Sequence, residues 1–112
     1  MIYIPKRGDF IRLNFDPQSG HEQKGLRPAL VLSHYEFNRI TGFAFVCPIT
    51  SKKKDYALHL DIPEHQAVKG TVMIDQLRAL DYNARNAAFI AEAHPELVLE
   101  ALSLLEPILF QR

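Results

Sequence analysis

With 112 residues the chain has room for one domain and a modest core, and its 13 Lys plus Arg balance 13 Asp plus Glu. A net charge near zero excludes strong whole-molecule attraction to a polyanion, so any grip on nucleic acid has to come from locally clustered cations. There is no apolar run long enough to cross a bilayer, and no basic start leading into a hydrophobic signal region, so a cytoplasmic protein is expected.

Gly8 to Phe15 reads as a strand, with Phe10, Arg12 and Asn14 on one face and Ile11, Leu13 and Phe15 on the other. Asp16-Pro17-Gln18-Ser19-Gly20 is a dense turn signal, and a second strand runs from Pro28 to Leu32. Ser33 and Glu36 form an S-x-x-E capping box, which predicts a short helix ending before Gly42. Phe43 to Ile49 reads as a buried strand, Ser51 to Asp55 as a polar connection, and the alternating Tyr56 to Ile62 as another strand. After a loop over 63–70, Gly70 to Asp75 is strand-like and continues through Gln76 to Leu80 past a kink or bulge. Asp81 to Ala88 is ambiguous, with a helical turn as one reading, and Phe89 to Ala93 reads as a short strand. A C-terminal helix starts at Pro95, with Glu96 suiting its N-terminal dipole. Leu97, Val98, Ala101, Leu102 and Leu105 share one face, and Pro107 is expected to end or kink the helix. This pattern predicts one domain over residues 1–112, mainly β, built as a small, strongly bent antiparallel sheet or barrel with a short internal helix and a C-terminal helix. Periodicity alone does not choose between barrel and open sheet.

The chemistry concentrates in residues 20–28, Gly-His-Glu-Gln-Lys-Gly-Leu-Arg-Pro, directly before an apolar strand. One Gly-punctuated loop there carries an acid, a base and a cation, which suits a small anionic group. The lone Cys47 has no disulfide partner and reads as an inert core residue. His34, His59, His65 and His94 form no metal-ligand pattern with Cys47, and no phosphate-binding Gly-rich motif precedes a Lys and a Ser or Thr. No metal and no cofactor are therefore expected.

The order Asn14-Phe15-Asp16-Pro17, Gly20-His21-Glu22-Gln23, Gly25, Arg27-Pro28, Pro48-Ile49-Thr50-Ser51 and Asp75-Gln76 resembles the MazF/PemK family of bacterial toxins, over nearly the whole chain. The resemblance implies an SH3-like β-barrel with a C-terminal helix, a homodimer, and the toxin half of a toxin–antitoxin pair. It implies an endoribonuclease that cuts single-stranded mRNA at short sequences without a metal. The ends left are a 2′,3′-cyclic phosphate and a 5′-hydroxyl. The cognate antitoxin is expected to lay its C-terminal tail over the toxin and block RNA; no membrane partner is expected.

Such cleavage needs alignment of the 2′-hydroxyl, a base for its proton, an acid for the leaving 5′ oxygen and fixed donors for the phosphoryl charge. Arg27 matches the family's essential arginine, and its planar fork suits phosphate oxygens. Thr50 matches the active-site threonine and can donate to a phosphate oxygen. Without the family, a strand-end Thr bonded to its own backbone is the plainer reading. Glu22 matches the acidic residue of the MazF branch and His21 a histidine of the PemK branch; a solvated turn carboxylate, a lock on Arg27 and an exposed loop His are the plain alternatives. Asp75 matches the PemK branch's proposed base. Met73 stands where that branch carries an arginine proposed as the acid, so the pair does not carry over whole, and binding a base edge or holding the dimer together stays open for Asp75. Lys24, Lys52, Lys53, Lys54, Gln76, Arg78 and Arg85 are candidates to line an RNA groove, and Phe37, Tyr56 and Tyr82 to stack bases. Two other readings stay open: a non-enzymatic gyrase-binding toxin like the CcdB relatives, against which the absence of any Trp counts, and a peptide-binding SH3-like module.

Overall fold

The structure is a computed structural model that describes residues 2–16, 25–52 and 55–110. Its strands are β1 (Asp9–Asn14), β2 (Leu26–Val31), β3 (Phe43–Thr50), β4 (His59–Asp61), β5 (Thr71–Met73), β6 (Arg78–Asp81) and β7 (Ala88–Glu92). Helix α1 (Tyr35–Thr41) joins β2 to β3, a 3-10 turn (Ile74–Gln76) joins β5 to β6, and α2 (Pro95–Phe110) follows β7. Every strand pairing is antiparallel, in the order β4-β5-β3-β2-β1-β7, with β6 also on β3. The mainly β, strongly bent sheet expected from the sequence is what forms. Among the described residues the ladder runs from β4 to β7 without closing.

The bend follows from the residues of β1 and β2, which are apolar on both faces. Phe10 and Leu30 belong to one core with Cys47, Ile49, Val72 and the α2 residues Leu97, Ala101 and Leu105. Their neighbours Ile11, Leu13, Ala29 and Val31 belong to a second core with Phe15, Val46, Leu80 and Tyr82. A flat sheet would leave one of these sets in water; folding the sheet over itself and laying α2 on one side covers both. β3 is the hinge. Its first half pairs with β6 from Phe43 to Val46 and its second half with β5 at Ile49 and Thr50. Pro48, which lacks an N–H, lies in the gap between the two ladders, where the 3-10 turn sits alongside.

Several expectations are adjusted. The cap of α1 is His34, whose Nδ1 accepts from the N–H of Phe37 at 3.2 Å, and not Ser33. The Ser33 hydroxyl is already committed: it accepts from the N–H of Phe45 at 2.8 Å and donates to Oδ1 of Asn38 at 2.5 Å. Asn38 is fully buried and also donates to the carbonyls of Pro5 and Ser33, while its own carbonyl accepts from the Tyr82 hydroxyl at 2.6 Å. The strand expected over 56–62 shrinks to β4, and the one over 70–75 to β5 followed by the 3-10 turn. The ambiguous 81–88 segment is a turn, closed by Ala87 N–H to the Tyr82 carbonyl at 2.9 Å and by Asn86 in the left-handed region. Helix α2 runs on through Pro107, because Ser103, whose carbonyl loses its helical partner there, lies on the exposed side where water can serve it. Leu102 packs at the rim of the first core rather than within it. The α2 helix is the longest element, and no helix of the described residues is long and apolar enough to cross a membrane.

Gly70 ties the fold to the end of β3. Its φ is +127°, and a Cβ built there would lie 2.4 Å from the carbonyl oxygen of Thr50. Gly70→Ala is therefore expected to destabilise the protein by about 2–3 kcal/mol, through strained backbone and a displaced Thr50. Urea unfolding of the purified variant checks this; a stability equal to wild type would contradict the close approach.

Candidate active site

Arg27 and Thr50 lie on adjacent strands. The β2–β3 register pairs Val31 with Val46, Leu30 with Cys47 and Ala29 with Pro48. The same register continued by two residues sets Arg27 across from Thr50. Alternation puts Arg27 on the face of Ala29 and Val31, and Thr50 on the face of Ala44 and Val46, all four in the second core. Both candidates thus extend one face of the sheet past the edge of its core, where Arg27 is exposed and Thr50 half-buried. The Thr50 hydroxyl accepts from the N–H of Lys52 at 3.1 Å. That bond occupies a lone pair and leaves the hydroxyl proton to be directed away from the backbone. The plain strand-end role and a donor role are therefore compatible in one side chain.

The chain on either side of 17–24 is drawn together. Phe15 N–H donates to the Gly25 carbonyl at 2.8 Å, and Gly25 N–H donates to Oδ1 of Asp16 at 2.9 Å. Asp16 N–H in turn donates to Oδ1 of Asn14 at 3.0 Å. Arg85 adds a cross-brace: its Nη1 donates to the carbonyls of Asn14 at 3.2 Å and Asp16 at 2.6 Å. Asp16 and Gly25, the described residues flanking 17–24, are thus held together two residues before Arg27. Glu22, His21 and Lys24 themselves lie outside the described residues, as do Lys53 and Lys54.

On the far side of β3 stand Asp75 and Gln76, in the 3-10 turn. Ile74 is buried in the first core, so the exposed Asp75 is turned outward. Its carboxylate lies 3.9 Å from Nε2 of His59. Gln76 is half-buried, with its amide 3.6 Å from the Met73 sulfur. Arg78 is half-buried, its guanidinium 6.0 Å from the centre of the Phe15 ring on the second-core face, while Lys52 is exposed after Thr50. β3 therefore runs between Arg27 on one flank and the Asp75 turn on the other, with Thr50 at its own end.

Among the aromatic candidates, Tyr82 is 4% exposed and its hydroxyl is tied to Asn38, so it presents no ring to a base. Phe37 packs against Phe45 at 5.7 Å between ring centres. Tyr56 keeps 46% of its surface exposed. Burial, followed by the charge of Asp75, pushes the Cys47 thiol up to about 12, which fits the inert core role. No group of three or more His, Cys, Asp or Glu side chains that could hold a metal ion is formed among the described residues.

Residues 6–109 match the family model of the PemK-like, MazF-like toxins of type II toxin–antitoxin systems. The chain belongs to that family and is an endoribonuclease toxin. It is 41% identical to the endoribonuclease toxin ChpB of Escherichia coli K12 across 92% of each chain. It is 36% identical to the endoribonuclease toxin MazF of the same strain across 84% of each. The fold matches MazF from Deinococcus radiodurans with a TM-score of 0.91 and 42% identity, covering 96% of this chain and 98% of that one. A MazE–MazF complex from the same organism matches with a TM-score of 0.87 and 41% identity over 99% and 100% of the two chains. Of the three readings open from the sequence, these relatives favour the endoribonuclease. His59 and the bracing role of Arg85 were not legible in the family motif; the alternation of β4 was the one signal pointing the His59 side chain somewhere definite.

Arg85→Ala removes both carbonyl contacts at the latch. It is expected to lower unfolding free energy by about 1–2 kcal/mol, with Arg85→Lys recovering only part, because a lysine lacks the planar fork. Urea titration of the three proteins decides; an unchanged midpoint for Arg85→Ala would show that the latch closes without it.

Proposed function

We propose that this MazF/PemK-family toxin cuts single-stranded mRNA at short sequences, by attack of a 2′-hydroxyl on its own phosphodiester. What supports the reading is the β2–β3 register, Ala29 with Pro48 through Val31 with Val46, whose continuation by two residues sets Arg27 across from Thr50 on one face. The substrate supplies the nucleophile, so the protein has to align it, move two protons and stabilise charge. Arg27 binds the phosphoryl oxygens with its fixed fork and stabilises the extra charge of the pentavalent state. Thr50 donates to one of the same oxygens. Glu22, His21 and Asp75 are the proton-transfer groups: one takes the 2′ proton as the O–P bond forms, another returns a proton to the departing 5′ oxygen. The products are a 2′,3′-cyclic phosphate and a 5′-hydroxyl, and no metal is needed because the guanidinium does the electrostatic work. Lys24, Lys52, Lys53, Lys54, Gln76, Arg78 and Arg85 hold flanking nucleotides.

The same reading includes a homodimer and a cognate antitoxin whose C-terminal tail covers the RNA-binding side. Its support is the match to antitoxin-bound relatives, together with apolar surface left uncovered in the single chain: Phe43, Phe45, Phe89, Leu99 and Phe110 are all exposed.

Arg27→Ala is expected to slow cleavage of an unstructured oligoribonucleotide by about 100-fold or more while circular dichroism stays native. Wild-type cleavage is expected to persist in EDTA, and to leave 5′ ends that need phosphorylation, and 3′ ends that need the cyclic phosphate opened and removed, before an enzyme that joins 5′-phosphate to 3′-hydroxyl ends can ligate them. Full activity in folded Arg27→Ala, or loss of wild-type activity in EDTA, would defeat the mechanism.

A further inference from the structure

His59 lies on β4 directly across from Met73 on β5. Its side chain keeps only 9% of its exposure. The Tyr56 ring meets the imidazole edge-on, with 4.9 Å between centres. Nδ1 is buried and has no hydrogen-bond partner among the described residues. Nε2 faces the other way, 3.9 Å from Oδ1 of Asp75. A buried nitrogen without a partner costs stability, and an apolar side chain would fill the same slot without that cost. The ring's one productive contact is the carboxylate. With the proton on Nε2, the imidazole aims its only donor at Asp75. At 3.9 Å the pair is an ion-pair contact rather than a direct hydrogen bond; one water or a small ring rotation closes it. Asp75 keeps 34% of its side-chain surface, so the carboxylate is backed by protein on one side and open on the other.

Resting on the RNA-cleavage reading above, we propose that His59 is a positioning residue that holds the Asp75 carboxylate oriented toward the RNA. The surroundings isolate the effect. The strand packed against β4 contributes Thr71, Val72 and Met73, none of which titrates, and the 3-10 turn contributes Asp75 itself. The loop before β4 contributes Tyr56, and β4 contributes Asp61, which accepts from the Thr71 hydroxyl at 3.1 Å. The Cys47 thiol behind Asp75 stays protonated through the neutral range. Of these groups, the His59 imidazole is the one that faces the Asp75 carboxylate.

The test uses the full chain in four forms, wild type, His59→Leu, His59→Gln and Asp75→Asn, plus the His59→Leu/Asp75→Asn double variant. Each is assayed on one oligoribonucleotide at pH 7.5. We expect His59→Leu to lower kcat about tenfold with KM within about twofold. His59→Gln, which can donate from the same place, should recover most of the rate. The double variant should be no slower than Asp75→Asn alone, since a residue acting through Asp75 has nothing left to act on. Multiplying defects, or a wild-type kcat in His59→Leu, would overturn the proposal. NMR shifts of the His59 ring in wild type and Asp75→Asn, compared at one pH, decide the contact without any change at His59. The Nε2 shift should change when the carboxylate is removed, and an unchanged shift would overturn the proposal even if every His59 variant misfolds. A wild-type protein that leaves RNA uncut would defeat the cleavage reading instead, while the NMR shift would still report whether the two side chains are in contact.

Discussion

The fold depends on β3 being shared. One strand of eight residues, Phe43–Thr50, pairs with β2 along one side and with both β6 and β5 along the other. The switch between those two partners falls at Cys47 and Pro48, where a missing N–H costs the ladder least. If β3 kept a single partner on that side, the 3-10 turn would have nowhere to sit and Asp75 would lie along a strand. If it lacked apolar residues on both faces, the sheet would have no reason to bend. Cys47 and Ile49 fill the first core, Ala44 and Val46 the second, and so one strand holds the two halves of the interior together.

The proposed site lies where this hinge runs out of core. Arg27 and Thr50 continue the second-core face beyond its last buried residues, so their backbones are fixed by sheet pairing while their side chains reach past the packing. That is the arrangement a phosphate site needs, since donors aimed at developing charge help only if they do not have to be reorganised during the reaction. The residues flanking 17–24 are held differently, by hydrogen bonds among Asn14, Phe15, Asp16, Gly25 and Arg85. Gly70 adds a third constraint by pressing against the Thr50 carbonyl from the β5 side.

What could be read in the chain beforehand follows from the kind of force involved. The mainly β class, the 33–42 helix, the C-terminal helix and the apolar strands rest on local period and composition, and these survive in the structure. The helix cap moved from Ser33 to His34 because a tertiary contact, the Phe45 N–H, claimed the serine hydroxyl. Pro107 failed to stop α2 because the rule against interior proline assumes the orphaned carbonyl has no water, and Ser103 is exposed. Strand lengths at β4 and β5 were overestimated, since alternation marks which residues can pair and not whether a partner strand is long enough to meet them. Arg27 is a candidate from the composition of its loop as well as from the family motif, whereas Thr50 and Asp75 are candidates through the motif alone; spacing along the chain says nothing about the β2–β3 register that relates Arg27 to Thr50.

Met73 shows why that limit matters. Read along the chain, it is a gap, an apolar residue where the PemK branch carries an arginine. Read across the sheet, Met73 is paired with His59, and the imidazole reaches the same carboxylate from the neighbouring strand. A side chain that faces Asp75 thus comes by cross-strand pairing rather than by sequence neighbourhood. The exchange is not neutral in its physics. An arginine brings a rigid fork of five donors, whereas a neutral imidazole brings a single one.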